Sequence, residues 1–366
     1  MNQMLRRSLL AVITLASSAC HVSREGPSWT RTTLLAQPTE SAPLDPAELN
    51  FAFWNLENLF DAADDAANPG DDEFLPARGW SEDRYARKLE HLAGEIATVA
   101  PHVIGFAEVE NRRVLDDLFA QPGLAGQGWI VVHRDSPDPR GIDVALACRA
   151  PFAVDEGEGA VVLHPVQGAS GPSRSVLEVV LRAGAARLTV LVNHWPSRGG
   201  DKDGAFRALA GNAAKAAALA AIEREKSQGH DADVLIVGDL NDDPWDASVV
   251  KSLGAVRSRN AVLNRREGVP LWNASWSLLA EPDLGTLYYN PEWTWNVFDQ
   301  CIVSRGLLDD AGFRFVEGSL RVHGPDHVRD DKRRPRWFRK GRDDQWTEGY
   351  SDHFMVTGRL RLADKP

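Results

Sequence analysis

The chain has 366 residues, 43% of them hydrophobic, which is enough for a sizeable core and one large domain, or at most two. Its formal net charge of −11 excludes a general polyanion binder, because long-range repulsion opposes phosphate-rich partners unless a local basic patch overrides it. The cysteines show neither CxxC nor Cys/His spacing, which argues against structural zinc.

Residues 1–20 read as an export signal. Arg6 and Arg7 form a positive start, Leu9 to Ala16 a short apolar core, and Ser17-Ser18-Ala19-Cys20 a small-residue end. A cysteine there resembles a bacterial lipobox, with Ser17 standing where leucine is usual; ordinary cleavage after Ala19 is the alternative. The expectation is an exported protein of the bacterial cell envelope, periplasmic or an outer-membrane lipoprotein, or else secreted, touching membrane only through a lipid on Cys20. Residues 21–48 carry Ser, Thr, Pro, Glu and Gln without a clear period and read as a flexible tether. No other stretch approaches the roughly 18 apolar residues of a membrane span. From Leu49 to Leu362 no linker or internal repeat divides the chain, so 49–362 is expected to be one catalytic domain and a monomer, with no protein partner.

Within that domain the elements follow in order. Asn50–Trp54 reads as a strand. Residues 61–73 hold Asp61, Asp64, Asp65, Asp71, Asp72 and Glu73 and read as a solvated acidic loop; a structural Ca²⁺ site is the alternative, although EF-hand spacing is absent. Ser81 to Val99 is an amphipathic helix: Ser81 caps it, Glu82 and Asp83 suit its positive end, and Tyr85, Leu89, Leu92, Ile96 and Val99 share one face. A strand at Val103–Ala107, a helix at Arg112–Ala120 and a strand at Val144–Cys148 follow. Ser175–Arg182 and Arg187–Val192 form a hairpin around residues 183–186. An alanine-rich helix spans Ala205–Lys226, a strand Val234–Val237, and a short helix Asp246–Leu253 closed by Gly254. The last strands are Gln300–Val303 and Phe354–Val356. Cys148 and Cys301 lie inside strands and read as buried thiols. Residues 332–342 are seven-elevenths basic, interrupted by Trp337 and Phe338. That composition suits a surface that tracks phosphates and stacks bases, though Asp330, Asp331, Asp343 and Asp344 flank it and a charge-balanced loop is the alternative. The mixture of alternating strands and helices with central hairpins predicts stacked sheets with helices outside.

The strand ends carry the chemistry. Val234–Val237 runs into Gly238-Asp239-Leu240-Asn241, where residues i and i+2 of an extended chain would share a side. The strand at 50–54 runs into Asn55-Leu56-Glu57-Asn58, that at 103–107 into Glu108, and that at 188–192 into Asn193-His194-Trp195. Three others have acids at their starts: Asp143, Asp299 and Asp352-His353. If the first group runs up and the second down, as antiparallel neighbours do, every one of these residues gathers at one edge. Such a set suits phosphate ester hydrolysis, in which phosphoryl charge must be neutralised, water activated and a leaving oxygen stabilised. Carboxylates hold Mg²⁺ or Mn²⁺ for this, and Glu108 and Asp352 lead the candidates, followed by Glu57. His353 and His194 are the proton-transfer candidates, with Asp299 and Asp143 as their expected carboxylate partners.

In these residues the chain resembles the endonuclease/exonuclease/phosphatase superfamily, whose fold is that of pancreatic deoxyribonuclease, from about Asn50 to Leu360. The resemblance implies a four-layered α/β (α+β) sandwich of two stacked mixed β-sheets flanked by helices. It further implies Asn55 and Glu57 near a metal held by Glu108, and His194 as an active-site histidine. Asp239 would orient or deprotonate water, Asn241 would bind a phosphate oxygen, Asp299 would pair with His353, and Asp352 would lie at or beside the metal. Arg174, placed just before a strand, resembles a substrate-contacting arginine, and Arg198 is a candidate phosphate ligand. Asp143 is a further candidate for substrate binding, and pairing it with His194 rests on strand polarity alone. The expected activity is an exported Mg²⁺- or Mn²⁺-dependent phosphodiesterase, foremost a nuclease with nucleic acid as substrate. The alternatives are a lipid phosphodiesterase or inositol-type phosphatase, disfavoured by the lack of a long apolar hairpin with paired aromatics, and a non-catalytic binding module.

Overall fold

The computed structural model describes residues 48–66, 68–168, 171–264, 271–280, 285–341 and 344–363. The expected export signal and the tether up to residue 47 lie outside them, as do Arg342 of the basic stretch and its flanking Asp343. Two large sheets dominate. The first has the order β15 (Phe313–Phe315), β19 (Met355–Leu362), β1 (Glu48–Leu59), β2 (Val103–Val109), β4 (Asp143–Cys148), β3 (Ile130–His133), and β16 (Arg321–His323) also pairs with β19. The second has the order β10 (Ala255–Val256), β11 (Leu271–Asn273), β14 (Asp299–Val303), β9 (Val234–Asp239), β8 (Ala186–His194), β7 (Gly171–Ala183), β5 (Ala153–Val154), and β6 (Val161–Gly168) also pairs with β7. Two small hairpins, β12 (Leu287–Tyr289) with β13 (Thr294–Asn296) and β17 (Phe338–Lys340) with β18 (Trp346–Glu348), lie outside these sheets.

The alternation along β1 explains the layering. Phe51 and Phe53 point to the inter-sheet core with Leu146, Leu177, Val190, Val192, Leu235 and Val237. Ala52 and Trp54 point the other way, to Leu89, Leu92 and Ile96 of α1 (Glu82–Val99) and to Leu115 and Leu118 of α2 (Arg112–Phe119). Each of those fully buried aliphatic side chains contributes roughly 1.5–3 kcal/mol. On the far side, α3 (Ala205–Ser227) lays Ala210, Ala214, Ala217, Ala218 and Ala221 against Leu191, Val234 and Ile236. Helix, sheet, sheet, helix is the expected four-layered sandwich. Cys148 and Cys301 are buried free thiols in the central core, as read from the sequence.

Helix ends follow local chemistry. Ser81 Oγ accepts from the Arg84 N–H at 3.3 Å, a cap worth about 1 kcal/mol. The α3 start is capped from outside, by Asp201, whose carboxylate accepts from Phe206 and Arg207 N–H. The expected helix at 246–253 begins two residues later, as a π-type turn at Ser248–Leu253 closed by Gly254 at φ 80°. Asp246 is spent in accepting from Asp243 N–H and from Arg198, which holds it out of the helix.

Strand polarity is as expected. β1 runs parallel to β2 and β8 parallel to β9, whereas β4, β14 and β19 run antiparallel to these neighbours. Gly238 makes the β8–β9 approach possible, because a Cβ there would lie 2.3 Å from the Asn193 carbonyl oxygen. Among the described residues no helix is long and apolar enough to cross a membrane.

One buried acid at the opposite end of β9 has a thermodynamic consequence. Asp233 is 1% exposed and its carboxyl is pushed up to about 9, first by burial and then by Asp231, against the pull of the Phe313 N–H. A carboxyl that holds its proton in the fold and releases it in the unfolded chain, at about pH 4, makes the fold less stable as pH rises between those two values. Asp233→Asn mimics the protonated form. Its melting temperature should match the wild type near pH 4 and exceed it by a margin that grows toward pH 9. A pH-independent difference in thermal melts would contradict this assignment.

Candidate active site

The polar strand ends meet where the sheets' matched ends converge. In the second sheet, Asp239 of β9 sits directly across from Asp299 of β14 and beside His194 of β8. In the first, β1 and β2 both bulge: Asn55 pairs with Ala107 and Leu59 with Val109, so residues 56–58 oppose Glu108 alone. A bulge re-aims side chains, and here it brings Glu57 and Glu108 to the sheet end. Glu57, Asn58, Glu108 and Asn241 all adopt left-handed backbone, with φ of 50°, 57°, 61° and 48°. Four of the eight non-glycine residues with positive φ among those described are therefore in one place, the clustering expected where backbone strain serves function.

The two sheets are joined by polar contacts. Asn55 Nδ2 donates to Asp239 Oδ2 at 3.1 Å, and Asn55 Oδ1 accepts from Glu57 N–H at 3.0 Å. Asn55 thus braces Asp239, and its Oδ1, which accepts one hydrogen bond, keeps a lone pair on the side of the acids. Asp239 Oδ1 accepts from the Asn241 N–H at 2.9 Å. Asn241 is aimed by this turn and by its own Nδ2, which donates to the Trp195 carbonyl at 2.9 Å, not by simple alternation along a strand. His353 is fixed by its Nδ1–H to Asp299 Oδ2 at 2.8 Å, while its Nε2 lies 3.7 Å from Asp239 Oδ2. Trp54 Nε1 donates to the His353 carbonyl, Ser351 Oγ donates to the Asn55 carbonyl, and His353 N–H donates back to Ser351 Oγ.

Charge is distributed unequally between the two histidines. Burial alone would lower His353, but Asp299 and Asp239 hold it well above its ordinary value, so it is a cation at neutral pH. His194 is driven well below its ordinary value, first by burial and then by Arg174, Arg140 and His353, so it is neutral. Arg174 NH1 donates to His194 Nε2 at 3.2 Å, which places the ring proton on Nδ1. Asp239 is raised to about 7 by burial, with His353 pulling it down and Asp299 pushing it up. It is poised as a base near physiological pH.

The acids on the other side form a second group. Glu108 accepts from Asn58 N–H at 2.9 Å, and its side chain is 13% exposed. Asp352 is 28% exposed. Glu57 is buried, with Oε2 accepting from the Phe338 N–H and Oε1 lacking any hydrogen-bond donor. Burial first, then Asp352, raises Glu57 to about 8. The three acids act together on the wholly buried ammonium of Lys88, which donates to the Glu57 and Asn58 carbonyls. An all-oxygen set with an orphaned buried carboxylate oxygen fits a hard divalent cation. Asp239, Asp299 and His353 also bring ligand atoms within 4.8 Å of one another; both Asp239 oxygens and Asp299 Oδ2 are taken by hydrogen bonds to Asn55, Asn241 and His353, while Asp299 Oδ1 is buried without a hydrogen-bond partner, and the histidine held between the two acids makes the three read as a proton-transfer group.

Three expectations change. Asp143 does not reach His194: its Oδ2 lies 3.0 Å from His133 Nε2 and its Oδ1 accepts from Ser136 N–H. β3 intervenes as the neighbour of β4, so the histidine within reach is His133, and Asp143 closes the loop 134–142 instead of contacting substrate. Arg198 is no free phosphate ligand, because Asp242, Asp243, Asp246 and Glu292 all pair with it within 3.3 Å and it also donates to the Asn241 carbonyl. It supports the turn that carries Asn241. Arg174 lies inside β7, bound to Asp138 at 3.0 Å and to the Trp195 carbonyl; it sits at the site and orients His194.

Lys88 was not singled out from sequence, although it falls three residues after Tyr85 and four before Leu92 on the apolar face of α1. A lysine on a buried helical stripe is itself a signal. Arg140, which reaches Asn58 Oδ1 at 2.5 Å and lies 4.0 Å from Glu108, was also missed. Within the basic stretch, Arg333, Arg334, Arg336 and Lys340 pair with Asp326, Asp330, the Glu348 carbonyl and Asp344. Arg339 instead reaches Glu57 and Asp352, each at 3.6 Å, and stacks on Trp337 at 3.9 Å.

Asn55→Ala removes one donor from the Asp239 carboxylate. A hydrogen bond to a charged group is worth about 1.5–3 kcal/mol, so Asp239 should ionise about one pH unit higher or more. Carboxyl ¹³C NMR of aspartate-labelled protein checks this, and an unchanged titration would mean that the bond carries no weight.

Comparison with known proteins agrees with this geometry. Residues 50–361 match the Endonuclease/Exonuclease/phosphatase family. A search of curated proteins finds no match. Among solved structures, a mannosyl-6-phosphatase from Bacteroides thetaiotaomicron is 17% identical with a TM-score of 0.53, covering 86% of this chain and 100% of its own. An endonuclease/exonuclease/phosphatase family protein from the same organism is 18% identical with a TM-score of 0.51, over 87% and 96%. D. rerio TDP2, complexed with a single-strand DNA product, is 12% identical with a TM-score of 0.51, over 86% and 100%. Those likenesses establish the shared fold, and the match over 50–361 establishes the lineage: the chain belongs to the Endonuclease/Exonuclease/phosphatase family and is a phosphoester-hydrolysing enzyme.

Proposed function

We propose that the protein is an exported, Mg²⁺- or Mn²⁺-dependent phosphodiesterase that acts on nucleic acid. The observation that carries the nucleic-acid reading is a cleft that begins at Asp352 and is lined by Leu287, Tyr288, Asn290, Asp330, Arg334, Pro335, Trp337 and Arg339. Two arginine–aromatic pairs stand in it: Arg339 on Trp337, and Arg334, which Asp330 also holds at 2.6 Å, over Tyr288 at 5.3 Å. Cations beside flat aromatic faces suit a strand whose phosphates and bases alternate.

Glu57, Glu108 and Asp352 would hold the metal, which when bound supplies charge neutralisation at the phosphoryl oxygens and the leaving oxygen. The chain's own residues supply the rest. Asp239 takes a proton from the attacking water, held in reach by Asn55 and the Asn241 turn. Asn241 presents its remaining amide capacity to a phosphate oxygen. Cationic His353, fixed by Asp299, faces the phosphoryl charge that grows during attack, and neutral His194 with Arg174 lines the opposite wall.

Plasmid incubated with purified protein and Mg²⁺ should be cleaved, and EDTA should abolish cleavage. Asp239→Ala and His353→Ala should each lower the rate by on the order of 10²–10⁴. Absence of chelator-sensitive cleavage, or full cleavage by both variants, would sink the reading. One feature favours a lipid substrate instead. The β12–β13 hairpin beside the cleft, short as it is, is aromatic, with Tyr288 against Trp295 and with Trp293 at its turn 75% exposed. Release of phosphocholine from sphingomyelin vesicles with nucleic acid left intact would select that reading.

A further inference from the structure

We propose that the acidic loop between β1 and α1 is a second cation site, separate from the catalytic acids, and that it takes Ca²⁺ through Asp64, Asp71 and Asp72. One carboxylate oxygen from each of the three lies within 4.8 Å of the others. Exposed acids gather often without an ion, and Asp64 and Asp72 are exposed. Asp71 is different: it is 1% exposed. Its Oδ2 accepts from Asp65 N–H at 2.6 Å, and its Oδ1 is buried with no hydrogen-bond partner. An unpaired buried carboxylate oxygen is costly, and here it belongs to a group whose other members are also anionic. Burial and the charges of Asp64, Asp72 and Asp65 push the Asp71 carboxyl upward, against the Asp65 N–H. A cation seated among the three removes both costs.

The donors choose the ion. All are oxygens, which excludes ions that prefer nitrogen or sulfur. The loop is irregular, passing through a short 3₁₀ turn at Pro69–Phe74 whose start is capped by Asn68 Oδ1 on Gly70 N–H. Two of the three carboxylates face solvent, so water completes the shell. Variable geometry with six to eight oxygens suits Ca²⁺ better than the strict octahedron of Mg²⁺. With three carboxylates and an open side, the expected dissociation constant is on the order of 10⁻⁴–10⁻³ M.

The site has a reason to exist. Gly70 packs so tightly on Arg140 that a Cβ would lie 1.9 Å from the Arg140 carbonyl oxygen, and a Cβ on Gly141 would meet the Asn68 side chain at 2.1 Å. Arg140 in turn reaches Asn58 and approaches Glu108. A cation that fixes Asp64, Asp71 and Asp72 therefore steadies, through Gly70 and Asn68, one wall of the active site from behind.

Calorimetric titration with CaCl₂ and thermal melts with and without Ca²⁺ test this in the wild-type protein, in Asp71→Asn, in the surface double variant Asp64→Asn/Asp72→Asn, and in Glu108→Gln. Binding and a Ca²⁺-dependent rise in melting temperature are expected in wild type and Glu108→Gln. At least a tenfold weakening is expected in Asp71→Asn and in the double variant. The double variant alters only exposed side chains and carries the test if Asp71→Asn fails to fold. No binding by wild type, wild-type affinity in the double variant, or loss of binding in Glu108→Gln, which would assign the ion to the catalytic acids, each overturns the proposal. None of these outcomes depends on which phosphoester the enzyme cleaves.

Discussion

The hydrogen bond from Asn55 to Asp239 joins the two halves of the molecule at the point where chemistry occurs. Asn55 is the last regularly paired residue of β1 before the bulge, and Asp239 is the last residue of β9. The core between the sheets is built of apolar side chains, which hold the layers together without fixing their relative position to a fraction of an ångström. Directional polar contacts at the sheet ends do that: Asn55 to Asp239 and His353 to Asp299 at one end, Phe313 N–H to Asp233 at the other. Placing them in a buried setting strengthens each one and also makes each obligatory, since a broken partner leaves an unsatisfied buried group.

That arrangement divides labour by environment. Two histidines a few ångströms from the same aspartate have opposite charge states: both are buried, but Asp299 and Asp239 hold His353 up, whereas burial first and then Arg174 and Arg140 drive His194 down, even with Glu108 and Asp239 each 3.7 Å from its Nε2. Two sets of acids likewise differ. Those around His353 are mostly held by hydrogen bonds within the protein, Asp299 Oδ1 excepted, whereas Glu57, Glu108 and Asp352 act together on buried Lys88 and also meet Arg339 or Arg140. One residue type thus stands in two different environments, set by its neighbours.

Much of this was legible in the sequence, and the parts that were not share a cause. Strand polarity, the helix faces at 82–99 and 112–119, and the convergence of Asp239, Asp299, Asp352 and His353 follow from hydrophobic period and from which end of a strand carries an acid. Such local patterns survive folding. Asp143 was misassigned because its partner depends on strand order: β3 comes to lie beside β4 by pairing over a loop, which no period encodes. Arg198 was misread because four acids from residues 242–292 surround it, and their convergence is tertiary. The basic stretch looked free for the same reason, although the acids that neutralise most of it were visible on its flanks. Lys88 was the opposite case, a local signal present on an otherwise apolar stripe.

The bulge in β1 has a consequence for how such a protein changes over evolutionary time. Three residues there oppose one on β2, and the surplus length is what turns Glu57 toward Glu108. Removing Glu57 and Asn58 would restore plain ladder pairing while keeping the core residue Leu56 and the alternation of the strand. The sandwich would survive and the acids proposed to hold the metal would lose one member. Folding and catalysis in this chain are therefore separable by length: a deletion of two residues, with no change of side-chain chemistry elsewhere, leads from an enzyme toward an inert scaffold of the same shape.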